Sequence, residues 1–331
     1  MPYSEIIAIL EAEGFLYENE EIFPQLLCLK SNVKCIPSVS YRASFLKDCG
    51  IEIFRCRAEE NEITRKASEE NSFGRYLLKG QTFSVRIKKV ETGSSIDTGK
   101  IERIIGKAIL EKTKYGRVQL SNPNISFLGV LTNNLLIFGL KNNNLSLHRN
   151  PLRRPKSRPF FHPSIMMPKL ARCMVNLARV NSSSLVLDPF CGTGSILLEA
   201  GLIGCEIVGS DLSLQMVKGS RQNLEYFKIQ PASLLIADAK CLPFHKIARV
   251  VTDPPYGITS STFKRYTKTI ISEFLFFIAD ILMEGGYVAI SIPNSIKIKE
   301  ICETLNYRIV EQHSLREHRS LTREIIVLQK L

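Results

Sequence analysis

The tetrad Asp253-Pro254-Pro255-Tyr256 carries residue types suited to one task, making an amino group on a planar ring nucleophilic. The lone pair of such an amine is delocalised into the ring, so the nitrogen attacks poorly until acceptors bind its N–H groups and favour a pyramidal geometry. The Asp253 carboxylate and the Pro254 carbonyl are candidate acceptors. Two successive prolines fix φ and remove two backbone donors, leaving a stiff segment whose carbonyls can be aimed. The Tyr256 ring could stack on the flat face of a base taken out of its stack. Read alone, the same residues also make an Asp-Pro-Pro turn with a core tyrosine. Asp253, Pro254 and Tyr256 are the candidate catalytic residues.

A second constellation precedes the first. Asp188-Pro189-Phe190-Cys191-Gly192-Thr193-Gly194 leaves one predicted strand and enters a predicted helix. Its two glycines let the backbone approach a ligand, and the helix N-terminus offers N–H groups to a carboxylate. Leu197 stands where a third glycine would complete the nicotinamide-dinucleotide fingerprint, so that fingerprint fails. Asp211 ends the next predicted strand, where a carboxylate can accept from both ribose hydroxyls. Asp238 ends the third and can accept from an adenine amino group, and the fourth delivers the tetrad. In this order the parts outline an adenosine-bearing ligand beside an amine-activating site. Each aspartate taken singly is also a plausible helix cap or turn residue. S-adenosylmethionine fits the set: a positioned amine displaces its sulfonium methyl in line, and catalysis rests on orientation and on acceptors, with no covalent enzyme intermediate and no metal. Asp253 either takes the departing proton or passes it to water.

These residues need a sheet to position them. Ala248–Thr252 is a β-branched run that reads as a buried strand, so the tetrad sits at a strand's carboxyl end, where open α/β sheets bind ligands. Strands are predicted at 185–188, 206–211, 234–237, 249–252, 287–292, 308–313 and 324–329, with helices between them including 195–201, 214–227, 270–283 and 296–305. The alternation implies a mostly parallel, seven-stranded sheet covered on both faces. Before it, residues 4–14 read as a helix, 15–17, 25–29 and 51–56 as strands, and 38–46 as a helix, a small α/β unit with nothing catalytic in it. From 58 onward a second α/β pattern follows: helices at 59–70 and 97–112, the latter capped by Asp97 or Thr98, and strands at 82–90, 118–120, 125–130 and 135–140.

Composition bounds the partners. The chain has 331 residues, 44% of them hydrophobic, enough for two or three domains. No segment has the roughly 18 to 20 apolar residues of a membrane span, so a soluble, cytoplasmic protein is expected. Net charge is +12. The first fifty residues hold four cations against seven acids and the remainder is basic, which suggests a polyanion such as nucleic acid. Arg86 and Lys88 share a strand face, and Arg103 and Lys107 lie one helical turn apart, so both pairs are expected to touch phosphates. Arg153, Arg154, Lys156 and Arg158, in a proline-stiffened connector, either lie along an RNA backbone or form an exposed linker. Nine cysteines include a cluster at Cys28, Cys35, Cys49 and Cys56, to be weighed as a metal site, a disulfide or buried free thiols; no CxxC pair occurs.

Four stretches resemble one family: Arg158 to Pro168, Asp188 to Gly194, Asp253 to Gly257 and His318 to Arg323. The chain resembles the class I, Rossmann-like S-adenosylmethionine-dependent methyltransferases, and more narrowly the archaeal tRNA guanine-N2 methyltransferases that modify guanosine 10. The resemblance implies a ferredoxin-like domain over 1–57, a THUMP RNA-binding domain over 58–147, a basic linker over 148–164 and a methyltransferase domain over 165–331. It implies tRNA as partner, a monomer and no metal. It places His162 near the methionine end of the cofactor, beside Asp188, Phe190, Gly192, Thr193, Gly194, Asp211, Leu212, Asp238 and Ala239. Met1 lies directly before the first helix, where the family pattern has a leading strand. Thr322 and Arg323 receive no role and read as a turn before a strand.

Overall fold

A computed structural model describes residues 1–90, 96–143, 151–163, 165–255, 261–318 and 321–331. The chain divides into two compact units, one of residues 15–41 and 46–146, the other of residues 1–14, 42–45 and 147–331. In chain order, α1 (Pro2–Ala12) is followed by β1 (Tyr17–Phe23), β2 (Leu26–Ser31), α2 (Cys35–Arg42), β3 (Gly50–Arg57), α3 (Glu60–Glu69), α4 (Phe73–Tyr76), β4 (Thr82–Lys89), α5 (Thr98–Thr113), β5 (Arg117–Val118), β6 (Ile125–Thr132) and β7 (Leu135–Lys141).

The smaller unit is built on a five-stranded sheet in the order β3-β7-β6-β4-β5. Helix α5 places Ile101, Ile105, Ala108 and Ile109 on one buried face, the spacing of an amphipathic helix on a sheet. Its N-cap is Asp97, whose carboxylate accepts from Gly99 N, and it stops at Lys114 in the left-handed conformation. Phe73, Phe83, Phe127 and Phe138 fill the core beneath it. The hairpin β1–β2 pairs only with itself and β3 joins the five-stranded sheet. The strands of residues 1–57 are thus divided between a two-stranded hairpin and the five-stranded sheet.

In the larger unit the elements are α6 (Pro168–Leu177), β8 (Leu185–Asp188), α7 (Ser195–Gly201), β9 (Glu206–Asp211), α8 (Leu214–Tyr226), β10 (Ser233–Ile236), β11 (Ile247–Thr252), α9 (Ser261–Ile281), β12 (Leu282–Pro293), α10 (Lys299–Thr304), β13 (Tyr307–His318) and β14 (Leu321–Lys330). The sheet order is β10-β9-β8-β11-β12-β14-β13, parallel from β10 through β12, with β14 antiparallel to both neighbours. The strand order reverses between β8 and β11, which opens a crevice at their carboxyl ends. Successive residues face opposite layers: Val186, Val251, Ala289 and Val327 join the core on one face, Leu187, Val250, Val288 and Leu328 that on the other. Helix α9 starts earlier than expected because nothing from 261 to 281 breaks it, although its apolar period begins only near Ile270.

Helix α1 belongs to this unit and packs against α6. The buried Glu5 carboxylate accepts from Ser44 N and Oγ, Phe45 N and Asn176 Nδ2. Arg42 donates to Asn176 Oδ1 and Val180 O, and pairs with Glu13. Residues Leu170 to Leu177 of α6 are consequently buried all round.

Candidate active site

The candidate cofactor loop, Asp188–Gly194, is built by hydrogen bonds that start at the end of β8. Asp188 is 1% exposed, and its Oδ1 accepts from the Thr252 hydroxyl at 2.7 Å and from Phe190 N at 3.2 Å. Burial pushes its carboxyl up to about 7; the neighbouring charges of Asp253 and Asp211 push the same way, against the two hydrogen bonds. Cys191 N donates to Ser210 O and Gly194 N to Cys191 O, folding the loop onto β9. At Gly192 (φ +49°) a Cβ would meet Phe190 O at 4.0 Å, an ordinary contact, so the positive φ is what favours glycine there, and its N–H donates to Asp211 Oδ2 at 3.0 Å. Gly194 (φ +78°) is required on two counts, since a Cβ there would also lie 2.4 Å from Ser220 Oγ.

The other predicted residues fall along the same edge. Asp211 is half-buried and Leu212 exposed, and Asp211 Oδ1 accepts from Ser213 N at 2.9 Å. Asp238 follows β10; its Oδ1 accepts from Lys240 N, and Ala239 behind it is buried. Asp188, Asp211 and Asp238 thus follow three adjacent strands, a span of roughly 10 Å at ordinary strand spacing. The donor and acceptor set, with a glycine between its ends, fits an adenosine-bearing ligand. Thr193 is buried, and the Phe190 ring stands edge-on to Phe274 at 5.3 Å, so it supports the loop from the core.

Parallel pairing sets Val250 beside Leu187, and the Thr252 hydroxyl bonds Asp188 at the end of β8, so Asp253 follows directly at the carboxyl end of the neighbouring strand. Pro254 is buried and Pro255 exposed. Asp253 Oδ2 accepts from Arg323 Nη1 at 2.7 Å. Tyr256 lies outside the described residues.

The segment carrying His162 is fixed by a residue the sequence reading passed over. Asn223 of α8, fully buried, accepts from Phe160 N through Oδ1 and donates through Nδ2 to Phe160 O and to Thr193 O, tying that segment to the cofactor loop. Beside it the Phe160 ring covers Gly219, where a Cβ would come within 2.0 Å of the ring. The available signal was the buried face of α8, where Gly219, Ser220 and Asn223 are small or polar at helical spacing. His162 itself is half-buried.

Two of the expected RNA contacts are corrected. Arg153 and Arg158 are 6% and 5% exposed. Arg153 binds the buried Glu199 carboxylate with Nε and Nη2; Arg158 donates to Arg153 O and to Ser195 Oγ at the start of α7, and Arg172 Nε completes the cluster on Glu199. A guanidinium needs many acceptors, and these two find theirs inside, where burial lowers the Arg158 pKa to about 10. Arg154 and Lys156 are on the surface. In the smaller unit Arg86, Lys88, Arg103 and Lys107 are exposed, with acidic neighbours Glu102, Asp48, Asp97 and Glu111. Cys28, Cys35, Cys49 and Cys56 are free thiols, and among the described residues no His, Cys, Asp or Glu cluster could hold a metal ion. Nor is any described helix long and apolar enough to cross a membrane.

Numbered within the sheet, the strands read 3-2-1-4-5-7-6 with the seventh antiparallel, the arrangement of a class I, Rossmann-like methyltransferase. The model of the RMKL-like methyltransferase domain matches residues 155–325 and that of the THUMP domain residues 57–138. The chain belongs to the THUMP-bearing tRNA (guanine(10)-N2)-dimethyltransferase family. The enzyme of that name from Methanothermobacter thermautotrophicus is 39% identical over 80% of this chain and 77% of its own, and that from Methanocaldococcus jannaschii is 32% identical over 100% and 97%. Among solved structures, TrmN from Thermus thermophilus superposes with a TM-score of 0.55 at 19% identity, covering 99% of this chain and 96% of that one, a likeness of fold.

Proposed function

We propose that this protein transfers methyl groups from S-adenosylmethionine to the exocyclic N2 of guanosine 10 in tRNA, acting as a cytoplasmic monomer. The observation that carries the reading is the placement of Asp253 and Pro254 beside the Asp188–Gly194 loop at the switch point of the sheet. The cofactor supplies an electrophilic methyl on a positively charged sulfur. Asp188, Gly192, Asp211 and Asp238 would hold it, with His162 and Thr193 at the near end and Leu212 and Ala239 flanking the adenosine. The Asp253 carboxylate and Pro254 carbonyl would accept the amine's N–H groups, and Tyr256 would cover the base. A first methylation leaves one N–H for the same acceptors, so the site can act twice. Exposed Arg86, Lys88, Arg103, Lys107, Arg154 and Lys156 would meet tRNA phosphates.

Incubation with labelled donor and unmodified tRNA tests this. Nucleoside analysis should give N2-methylguanosine in a single turnover and N2,N2-dimethylguanosine after prolonged reaction, at one position. Label on adenine or cytosine amino groups alone would overturn the guanine assignment. Asp253→Ala should abolish turnover while leaving tRNA affinity within about threefold, because phosphate contacts dominate that affinity.

A further inference from the structure

Asp253 is gripped by a strand that follows it far along the chain. Arg323 lies in β14, opposite Pro293 of β12, and reaches across the carboxyl end of β12 to donate from Nη1 to Asp253 Oδ2 at 2.7 Å. The two side chains are 14% and 17% exposed, so the pair is shielded from most of the screening that weakens surface ion pairs. A guanidinium stays charged across the working pH range and presents a planar fork, which orients a carboxylate as well as attracting it. Asp188 of β8, an acid, feels the Asp253 charge from the neighbouring strand. Arg323 therefore brings a cation to Asp253 at the switch point.

We propose that Arg323 is a positioning residue for methyl transfer: it fixes the orientation of the Asp253 carboxylate, so that the incoming amine meets an acceptor already aligned. The inference rests on the assignment of Asp253 as the acceptor. The gain comes from preorganisation, since a carboxylate free to rotate would have to be ordered as the reaction proceeds. Arginine suits the position better than lysine, which would supply the charge without the fork.

The test compares the full-length wild type with Arg323→Met and Arg323→Lys, measuring kcat, KM for tRNA and for the methyl donor, and the pH profile of kcat. Arg323→Met should lower kcat by roughly tenfold or more. Both KM values should stay within about threefold, and the acid limb should move to higher pH because the carboxylate loses its counter-charge. Arg323→Lys should recover much of the pH shift and part of kcat. An unchanged kcat overturns the proposal. So does a loss with an unmoved acid limb, or a loss explained by a lowered melting temperature and reduced donor binding in both variants. If the wild type methylates an amine other than guanine N2, the substrate assignment fails while the same comparison on that product still judges Arg323. If it methylates nothing, both fail.

Discussion

At the scale of single residues, Asp188 is the group in the proposed site whose burial shifts its ionisation. Its carboxyl stands near 7 in the fold against 3.8 as the ordinary value, mainly through burial. The folded protein therefore binds more protons than the unfolded chain between those values, and Asp188's contribution makes stability fall as pH rises from about 4 to about 7. Asp188→Asn keeps an acceptor for the Thr252 hydroxyl and Phe190 N and removes the titration. Thermal melts without ligand should show the variant gaining on the wild type by roughly 1 kcal/mol or more between pH 5 and pH 8. Ligand binding should run the opposite way. If Asp188 holds the cofactor's ammonium, as the proposed site implies, that cation favours the carboxylate, and wild-type affinity for S-adenosylhomocysteine should rise with pH through about 7. Calorimetry should find that rise absent in Asp188→Asn. The sequence showed which aspartates end strands, because strand ends and glycines leave a local pattern. It did not show the Thr252 bond or the Arg323 grip, since these depend on which strands become neighbours.

At the scale of elements, α8 does more than cover the sheet. Through Asn223 and Gly219 it locks the Phe160 segment against the loop that begins α7. Asn223→Ala would leave Phe160 N, Phe160 O and Thr193 O without their buried partner, a loss of about 1–3 kcal/mol. A lowered melting point together with weaker donor binding should report it; a lowered melting point with unchanged donor binding would show that the lock does not reach the loop. Most strands of the larger sheet were legible because runs such as Arg249–Thr252 are short, β-branched and bounded by turn residues. The all-round burial of α6 was not, because one face is covered by α1, more than 150 positions away in sequence.

At the scale of the whole molecule, a net charge of +12 acts on a polyanion through its exposed share only. Arg86→Ala with Lys88→Ala should weaken tRNA binding and reduce the steepness of its salt dependence by roughly one to two logarithmic units per decade of salt. Filter binding across a salt series would measure this. Arg153→Ala should behave differently. It removes one of the two arginines that pair with buried Glu199 and leaves Arg172, so the loss should register as a lowered melting temperature with the salt slope intact. The sequence reading placed all these cations together because a run of basic residues looks the same whether it faces phosphate or a buried glutamate.

The position of β14 between β12 and β13 also bears on synthesis at the ribosome. Asp253 is made 70 residues before the arginine that holds it. A nascent chain can shape the Asp188–Gly194 loop first, yet Asp253 stays unbraced until the β13–β14 hairpin slots into the sheet, so chemistry should switch on only after that docking.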